Sequence, residues 1–322
     1  MRRLGCARAR GATAHPGAEL PGHGGSAIFP AMSTHAAAPE RVALVTGASS
    51  GIGEATARQL ASRGLRVVLA ARRADRLEML SKEIAVAGGE ALPVAVDLAD
   101  GGATSDLVAR VRETWGRVDV LINNAGYSPG AALEQVSRDE LRHIFDVNLF
   151  SALQLVGEVA PLMRAQGGGR IVNVGSLGGS IAAPLAIPYG ATKSSLDIAT
   201  RGMRLELAPW RIHASLVVAG FVDTAVFENA RVGAQHLRDD LDNPYRKLFF
   251  DFDDLTQKSL KKALAPTDVA EVIVKAATAR HPRTRYYAPA SARFQTGFMN
   301  LLPAALSERI LRSMYKVERP SD

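Results

Sequence analysis

Tyr189 and Lys193 stand four residues apart, which on a helix puts both side chains on one face, a turn from each other. A phenol ionises near pH 10, too high for a base at neutral pH. An ammonium group one turn away stabilises the phenolate and pulls that value down. The pair could therefore pass a proton to or from an oxygen. Alone the pattern is weak, because many helices contain it by chance. Ser176, thirteen residues upstream, adds a hydroxyl at the end of a predicted strand, where it can hold the same oxygen as negative charge builds on it.

A second group of residues is built for phosphate. Thr46-Gly47-Ala48-Ser49-Ser50-Gly51-Ile52-Gly53 follows an apolar strand and opens an amphipathic helix. Glycines let such a turn approach a pyrophosphate closely, and the helix N-terminus adds free N–H groups and a favourable dipole. The spacing is G-x-x-x-G-x-G, not the G-x-G-x-x-G of most dinucleotide-binding turns. Its place at the first strand-to-helix junction gives the motif its weight.

Both groups need a scaffold, and the pattern of the chain supplies one. Arg41–Thr46, Arg66–Ala70, Leu92–Val96, Val118–Ile122, Arg170–Val174, Ile212–Val218 and Tyr286–Ala288 read as strands. Several are β-branched runs with little polar alternation, as expected of strands covered on both faces. Helical patterns lie between them at Ile52–Ser62, Arg76–Ala87, Ser105–Trp115, Arg138–Arg164, Tyr189–Ala208 and Pro266–Ala279. This alternation predicts an α/β fold: a single Rossmann-type, doubly wound parallel sheet of about seven strands, with helices on both faces. Residues 225–263 interrupt the rhythm with a long charged segment carrying Phe227, Tyr245, Phe249, Phe250 and Phe252, and are expected to form a substrate lid. A surface insertion packing its own aromatics is the alternative. Residues 294–317 form a helical C-terminal tail.

Of the 322 residues, 47% are hydrophobic and 22% charged, as in an ordinary globular protein. Cys6 is the only cysteine, so no intramolecular disulfide exists. The net charge of +7 is uneven, residues 1–31 holding four arginines against one glutamate. No basic run interleaved with aromatics suggests a nucleic-acid surface. No apolar stretch reaches the ~18–20 residues of a membrane span. Residues 1–38 read as a disordered extension, with Met32 a possible true start, and residues 39–322 as the folded domain. A cytoplasmic location is expected, and no metal.

The glycine turn, Asn123-Asn124-Ala125-Gly126, Asn148, Ser176, Tyr189-x-x-x-Lys193 and Thr224, in that order, resemble the short-chain dehydrogenase/reductase family from about Arg41 to Pro289. The arrangement of lid and tail looks similar to hydroxysteroid and retinol dehydrogenases. The resemblance implies a nicotinamide cofactor that carries a hydride while Tyr189 moves the proton. Ser176 would hold the substrate oxygen, Lys193 the ribose hydroxyls, and Asn148 a water linking Lys193 to solvent. Gly47, Ser49, Ser50, Gly51, Ile52 and Gly53 would cradle the pyrophosphate, and Asp97 and Leu98 the adenine. Asn124, Ala125, Gly126, Val222 and Thr224 would complete the cofactor site. NAD-preferring members end the second strand in an acid. Here Ala71 stands there, followed by Arg72, whose guanidinium suits a 2′-phosphate. The expected cofactor is thus NADP(H), with Arg73 a solvated neighbour. One departure is Ala219 before Gly220, where relatives carry proline.

Leu177, Ile181, Pro184, Ala186, Ile187, Pro188, Phe221, Val226 and Phe227, with Tyr127 as an aromatic wall, predict an apolar pocket. Such a pocket favours a steroid-, retinoid- or lipid-like ketone or aldehyde and its alcohol over a sugar. The competing reading is a non-catalytic NADP-binding redox sensor or scaffold, expected to lose the tyrosine, lysine or serine. The long helices Arg138–Arg164 and Tyr189–Ala208 carry more apolar residues than one sheet-facing stripe needs. With the family resemblance, this predicts a homodimer or homotetramer. Membrane contact through the basic, amphipathic tail is the alternative use of excess apolar surface.

Overall fold

The computed structural model describes residues 40–317, so the expectations for the N-terminal extension lie outside the described residues. Seven strands form one all-parallel sheet: β1 Val42–Thr46, β2 Arg66–Ala71, β3 Ala91–Ala95, β4 Val120–Asn123, β5 Gly169–Ser176, β6 Ile212–Ala219 and β7 Arg285–Ala288. Their order is β3-β2-β1-β4-β5-β6-β7. Helices α1 Gly51–Ala61, α2 Ala74–Val86, α3 Ala103–Trp115, α4 Arg138–Phe145, α5 Ser151–Ala165 and α6 Ile187–Glu206 make the crossovers, followed by α7 Ala225–Gly233, α8 Gln235–Asp239, α9 Arg246–Leu260 and α10 Pro266–Thr278. The tail is α11 Ala292–Leu301 and α12 Ala304–Met314.

Strand side chains alternate between faces, and β1 shows the consequence. Ala43 and Val45 join α1, α2 and α10 in one core through Leu60, Leu77, Leu80, Ile273 and Val274. Val42 and Leu44 join α3, α5 and α6 in another through Leu107, Val111, Leu155, Val159 and Met203. All five β1 residues are therefore buried, which is why the strand reads as a continuous apolar run. The chain runs outward one way from β1 through β2 to β3, then returns to β4 and runs the other way. Loops after β1 and β4 consequently diverge, opening the crevice where doubly wound sheets bind ligands.

The helix expected over Arg138–Arg164 is not uniform. Asp146–Phe150 forms a π-helical turn between α4 and α5. The 225–263 segment is not a loop but three helices, with α9 carrying Phe249 into a small separate core against Ala131, Ala132, Val136, Leu185 and Ala234. Tyr245 and Phe252 pack against that core, so most of the lid's aromatics are structural. Arg238, buried, stacks on Phe249 at 4.6 Å and binds both oxygens of Asp253 at 3.2 Å, tying α8 to α9. In α7 no residue is buried.

Candidate active site

The Thr46 hydroxyl joins the two sides of the crevice. It accepts hydrogen bonds from the backbone N–H of Asn124 at 3.0 Å and of Ala125 at 3.1 Å, and donates to the Ile122 carbonyl at 3.3 Å. Asn124 Nδ2 donates back to the Thr46 carbonyl at 2.9 Å. The glycines are needed sterically. A Cβ on Gly53 would lie 2.2 Å from the Gly47 carbonyl oxygen, and one on Gly47 would lie 2.8 Å from Asn124 Nδ2. Gly51 has φ +57° and faces the methyl of Thr224, which would lie 3.1 Å from a Cβ there. Ile52 packs against the core under the turn.

Ser50 gives α1 no side-chain cap. The helix therefore presents its first N–H groups and the positive end of its dipole to the crevice, where an anion would satisfy them. The tight turn, the glycines with no room for a Cβ and the uncapped helix together fit a pyrophosphate. Val222 is buried and bridges to Leu264, holding the segment after β6 beside this turn.

The two arginines after β2 refine the expectation. Arg73 is exposed, as expected, but it is also bound to the glycine turn. Its guanidinium donates to the Ser49 carbonyl at 3.2 Å, to Ser49 Oγ at 3.0 Å and to Ser50 Oγ at 2.8 Å. As the residue before α2, with extended backbone, it turns its side chain back over the glycine turn. Arg72 points outward with its side chain 70% exposed and its guanidinium 4.0 Å from an Asp97 carboxylate oxygen. The other Asp97 oxygen accepts from the Ala99 N–H at 3.1 Å, and Leu98 beside it is buried.

Ser176 ends β5, and Tyr189 and Lys193 lie in the first two turns of α6. The Ser176 oxygen accepts from the Gly178 N–H at 3.1 Å. Burial pushes the Tyr189 phenol up from its ordinary value, and the Ser176 side chain works against the shift. The residue as a whole is only half-buried, so its hydroxyl is the enclosed part. Lys193 is buried, donates to the Val174 carbonyl at 2.9 Å, and holds its Nζ 5.8 Å from the centre of the Tyr189 ring. Burial pulls its pKa down to about 8, so near neutral pH it can both hold and release a proton.

Asn148 lies inside the π-helical turn and is buried. Its Oδ1 accepts from Tyr127 N–H at 3.0 Å, and its Nδ2 donates to the Tyr127 carbonyl at 2.9 Å and to Thr192 Oγ1 at 3.3 Å. A π turn re-aims one residue out of helical register, here an asparagine, which clasps the backbone after Gly126. A Cβ on Gly126 would meet Asn148 Oδ1 at 3.2 Å and Lys193 Nζ at 3.4 Å. The crevice and the Ser-Tyr-Lys group are thereby brought together. Residue types alone did not single out Thr192, which shares the Asn148 network, or the hub role of Thr46.

Around them the expected apolar wall is present in part. Phe221 and Phe227 stack at 5.5 Å, and Leu177 meets Gly220. Tyr127 packs 5.5 Å from His143 with its hydroxyl buried and unpaired; burial, the larger cause, and Glu140 push that phenol up to about 12. Pro188 is buried, whereas Ile187 faces solvent. A separate groove of about 820 Å³ runs along the open edge of β7 and is lined by none of these residues.

The chain belongs to the short-chain dehydrogenase/reductase family, whose model, described as short chain dehydrogenase, matches residues 41–234. It is 36% identical to a putative ketoacyl reductase of Streptomyces coelicolor over 235 residues, 72% of this chain and 88% of that protein. Among solved structures it is similar to a variant of the actinorhodin polyketide ketoreductase bound to NADPH, with TM-score 0.66, 32% identity, and 79% of this chain covering 97% of that one. A short-chain dehydrogenase/reductase from Burkholderia phymatum in complex with NAD gives TM-score 0.71 and 27% identity, over 88% of this chain and 97% of that one. The chain is thus an oxidoreductase of this family with a nicotinamide-dinucleotide fold. The likeness to hydroxysteroid and retinol dehydrogenases in particular is not among these findings.

Proposed function

We propose that the protein is an NADP(H)-dependent reductase or dehydrogenase that interconverts an apolar ketone or aldehyde and its alcohol. The observation that carries this reading is the convergence of Ser176, Tyr189 and buried Lys193 next to an uncapped, glycine-lined helix N-terminus. When bound, the nicotinamide ring supplies or accepts the hydride at the carbonyl carbon. Tyr189 gives its proton to the carbonyl oxygen in reduction and takes it back in oxidation, while the Ser176 hydroxyl holds that oxygen. Lys193 holds the ribose hydroxyls and favours the phenolate, and Asn148 keeps the Lys193 side open to a water that replaces the proton. Gly47, Ser49, Ser50, Gly51, Ile52 and Gly53 hold the pyrophosphate; Asp97 and Leu98 hold the adenine; Asn124, Ala125, Gly126, Val222 and Thr224 complete the cofactor site.

NADP(H) is favoured because Arg72 and Arg73 flank the crevice and Ala71 leaves no carboxylate at the end of β2. The stacked Phe221 and Phe227 favour an apolar substrate, steroid-, retinoid- or lipid-like. The names of the ketoacyl-reductase relatives add a ketoacyl group to that class. A homodimer or homotetramer through the long helices at 138–164 and 189–208 is supported by exposed Phe150 in the π turn of the first and Ile198 and Leu205 in the second. Purified protein mixed with NADPH and a panel of hydrophobic ketones, followed at 340 nm, tests the reading. Oxidation of NADPH with at least one ketone is expected; NADPH binding with no turnover of any would favour a redox sensor or scaffold.

A further inference from the structure

The last two helices expose apolar side chains that the fold does not use. On α11, Phe294, Phe298 and Leu301 recur at the helical period and are 78%, 58% and 86% exposed. Buried Ala292 and Thr296 hold the opposite side of that helix to the protein. On α12, Leu306, Ile310 and Met314 repeat the outward pattern. That helix is fixed to the lid, Tyr315 stacking on Phe252 at 6.1 Å and Lys316 reaching Asp251 at 3.4 Å. Exposed apolar rows of this kind mark a contact surface.

Charge says what covers it. In residues 292–317 Arg312 pairs with Glu308, and Lys316 with Asp251 and Asp254, and Arg293 and Arg309 add positive charge beyond these pairs. Arg293, the residue before Phe294, also lines the groove along β7 with Lys275 and Arg283, where Asp268 is the only carboxylate. A second copy of the chain docking face to face would set these cations against themselves. An anionic bilayer takes both features at once, apolar face in the acyl boundary and cations on the headgroups. The position is also apt. Pro289, at the start of the tail, lies against Gly220, 3.0 Å from where a Cβ would stand, with Leu177 at 3.5 Å from the same point. The apolar face therefore begins at the catalytic end of the sheet.

We propose that α11 and α12 seat the protein on an anionic phospholipid surface, with Phe294, Phe298 and Leu301 entering the acyl boundary and Lys275, Arg283 and Arg293 meeting the headgroup phosphates. Delivery of an apolar ketone from that bilayer would rest on the functional reading above; the docking itself does not. The full chain is sedimented with vesicles of phosphatidylcholine alone or mixed with phosphatidylglycerol. It is expected to sediment with the mixed vesicles and not with the neutral ones. F294S/F298S/L301S should weaken binding to the mixed vesicles about tenfold or more. K275E/R293E should abolish the preference for phosphatidylglycerol. Both variants should keep the wild-type Tm and NADPH affinity, since the changed side chains lie on the surface. Wild-type protein left in the supernatant with mixed vesicles, or both variants sedimenting like wild type, would overturn the proposal. So would light scattering that shows an oligomer dissociating in F294S/F298S/L301S, which would assign the face to a second copy. Sedimentation reads binding alone, so a failure to reduce any ketone would not touch this result.

Discussion

Arg73→Ala separates what the arginine does for any dinucleotide from what it does for a 2′-phosphate. Its guanidinium makes four hydrogen bonds to Ser49 and Ser50, at 2.8–3.3 Å, on an exposed edge of the glycine turn. Bonds to neutral acceptors contribute about 0.5–1.5 kcal/mol each at best, and less at a solvated edge. Losing them loosens the turn for NADPH and NADH alike, by about tenfold at most. A 2′-phosphate exists on NADPH alone, and a charge-assisted bond to it contributes about 1.5–3 kcal/mol, or roughly 10–100-fold. Kd for NADPH is therefore expected to rise about 10–100-fold more than Kd for NADH. Arg72→Ala should show the same selective loss without the common one, because Arg72 does not touch the turn. If both arginines grip one phosphate, their losses will not add in the double variant. Nicotinamide fluorescence titration measures Kd without any substrate. Equal losses for both cofactors in both variants would remove the 2′-phosphate from this site. A selective loss confined to Arg72→Ala would return Arg73 to ordering the turn.

Tyr189→Phe should keep its fold and NADPH affinity, since one hydroxyl is removed, while kcat falls by orders of magnitude; a tenth of wild-type turnover would exclude Tyr189 as the proton donor. Burial pulls the Lys193 pKa down to about 8 from an ordinary 10.5. Between those values the unfolded chain binds the extra proton, so wild-type stability should rise with pH. Measured against Lys193→Met by urea unfolding, the gain from pH 7.5 to 10 should be about 2 kcal/mol, and a flat difference would refute the buried-ammonium picture. Gly53→Ala sets a methyl 2.2 Å from the Gly47 carbonyl, which only backbone movement can relieve; a loss of about 1–3 kcal/mol in stability and weaker NADPH binding are expected, and an unchanged melting curve with unchanged Kd would contradict the packing. Asn148→Ala leaves both polar groups of Tyr127 unpaired and should cost about 2–3 kcal/mol by thermal unfolding, with wild-type stability as the refuting result.

The sheet was readable because its strands are buried on both faces. Runs such as Val42–Thr46 and Arg66–Ala71 carry the signal in hydrophobicity alone, and strand ends fall within a residue or two of those expected. The glycine turn and the Tyr189–Lys193 spacing were readable for a different reason: their function depends on backbone sterics and helical period, both of which are local in sequence. Where side chains meet across the fold, the reading thinned. Two adjacent arginines look alike in a sequence, and only the backbone entering α2 turns Arg73 back toward Ser49 while Arg72 points out. The π turn at Asp146–Phe150 leaves no signature in periodicity, because one added residue is within the noise of an amphipathic pattern. The aromatics of residues 225–263 announced a lid, yet Phe249 and Arg238 spend themselves on a local core.

These departures share a location. Gly47 and Gly51 at positive φ, an α1 without a side-chain cap, an asparagine buried in a π turn and a lysine buried without a carboxylate all lie at the C-terminal end of the central strands. Uncapped α1 and Lys193, buried without a counter-charge, cost stability, because a polar group is kept there without the partner that would offset its burial. The same sheet runs with unbroken apolar packing below them, through Leu44, Leu121 and Ile171, so the cost is confined to one end and borne by the rest. A scaffold that only needed to fold would cap α1 and fill the Lys193 site with leucine. The polar clasp from Asn148 through Gly126 to Lys193 makes sense when a ligand completes it, and that completion links the glycine turn to the Ser176–Tyr189 pair.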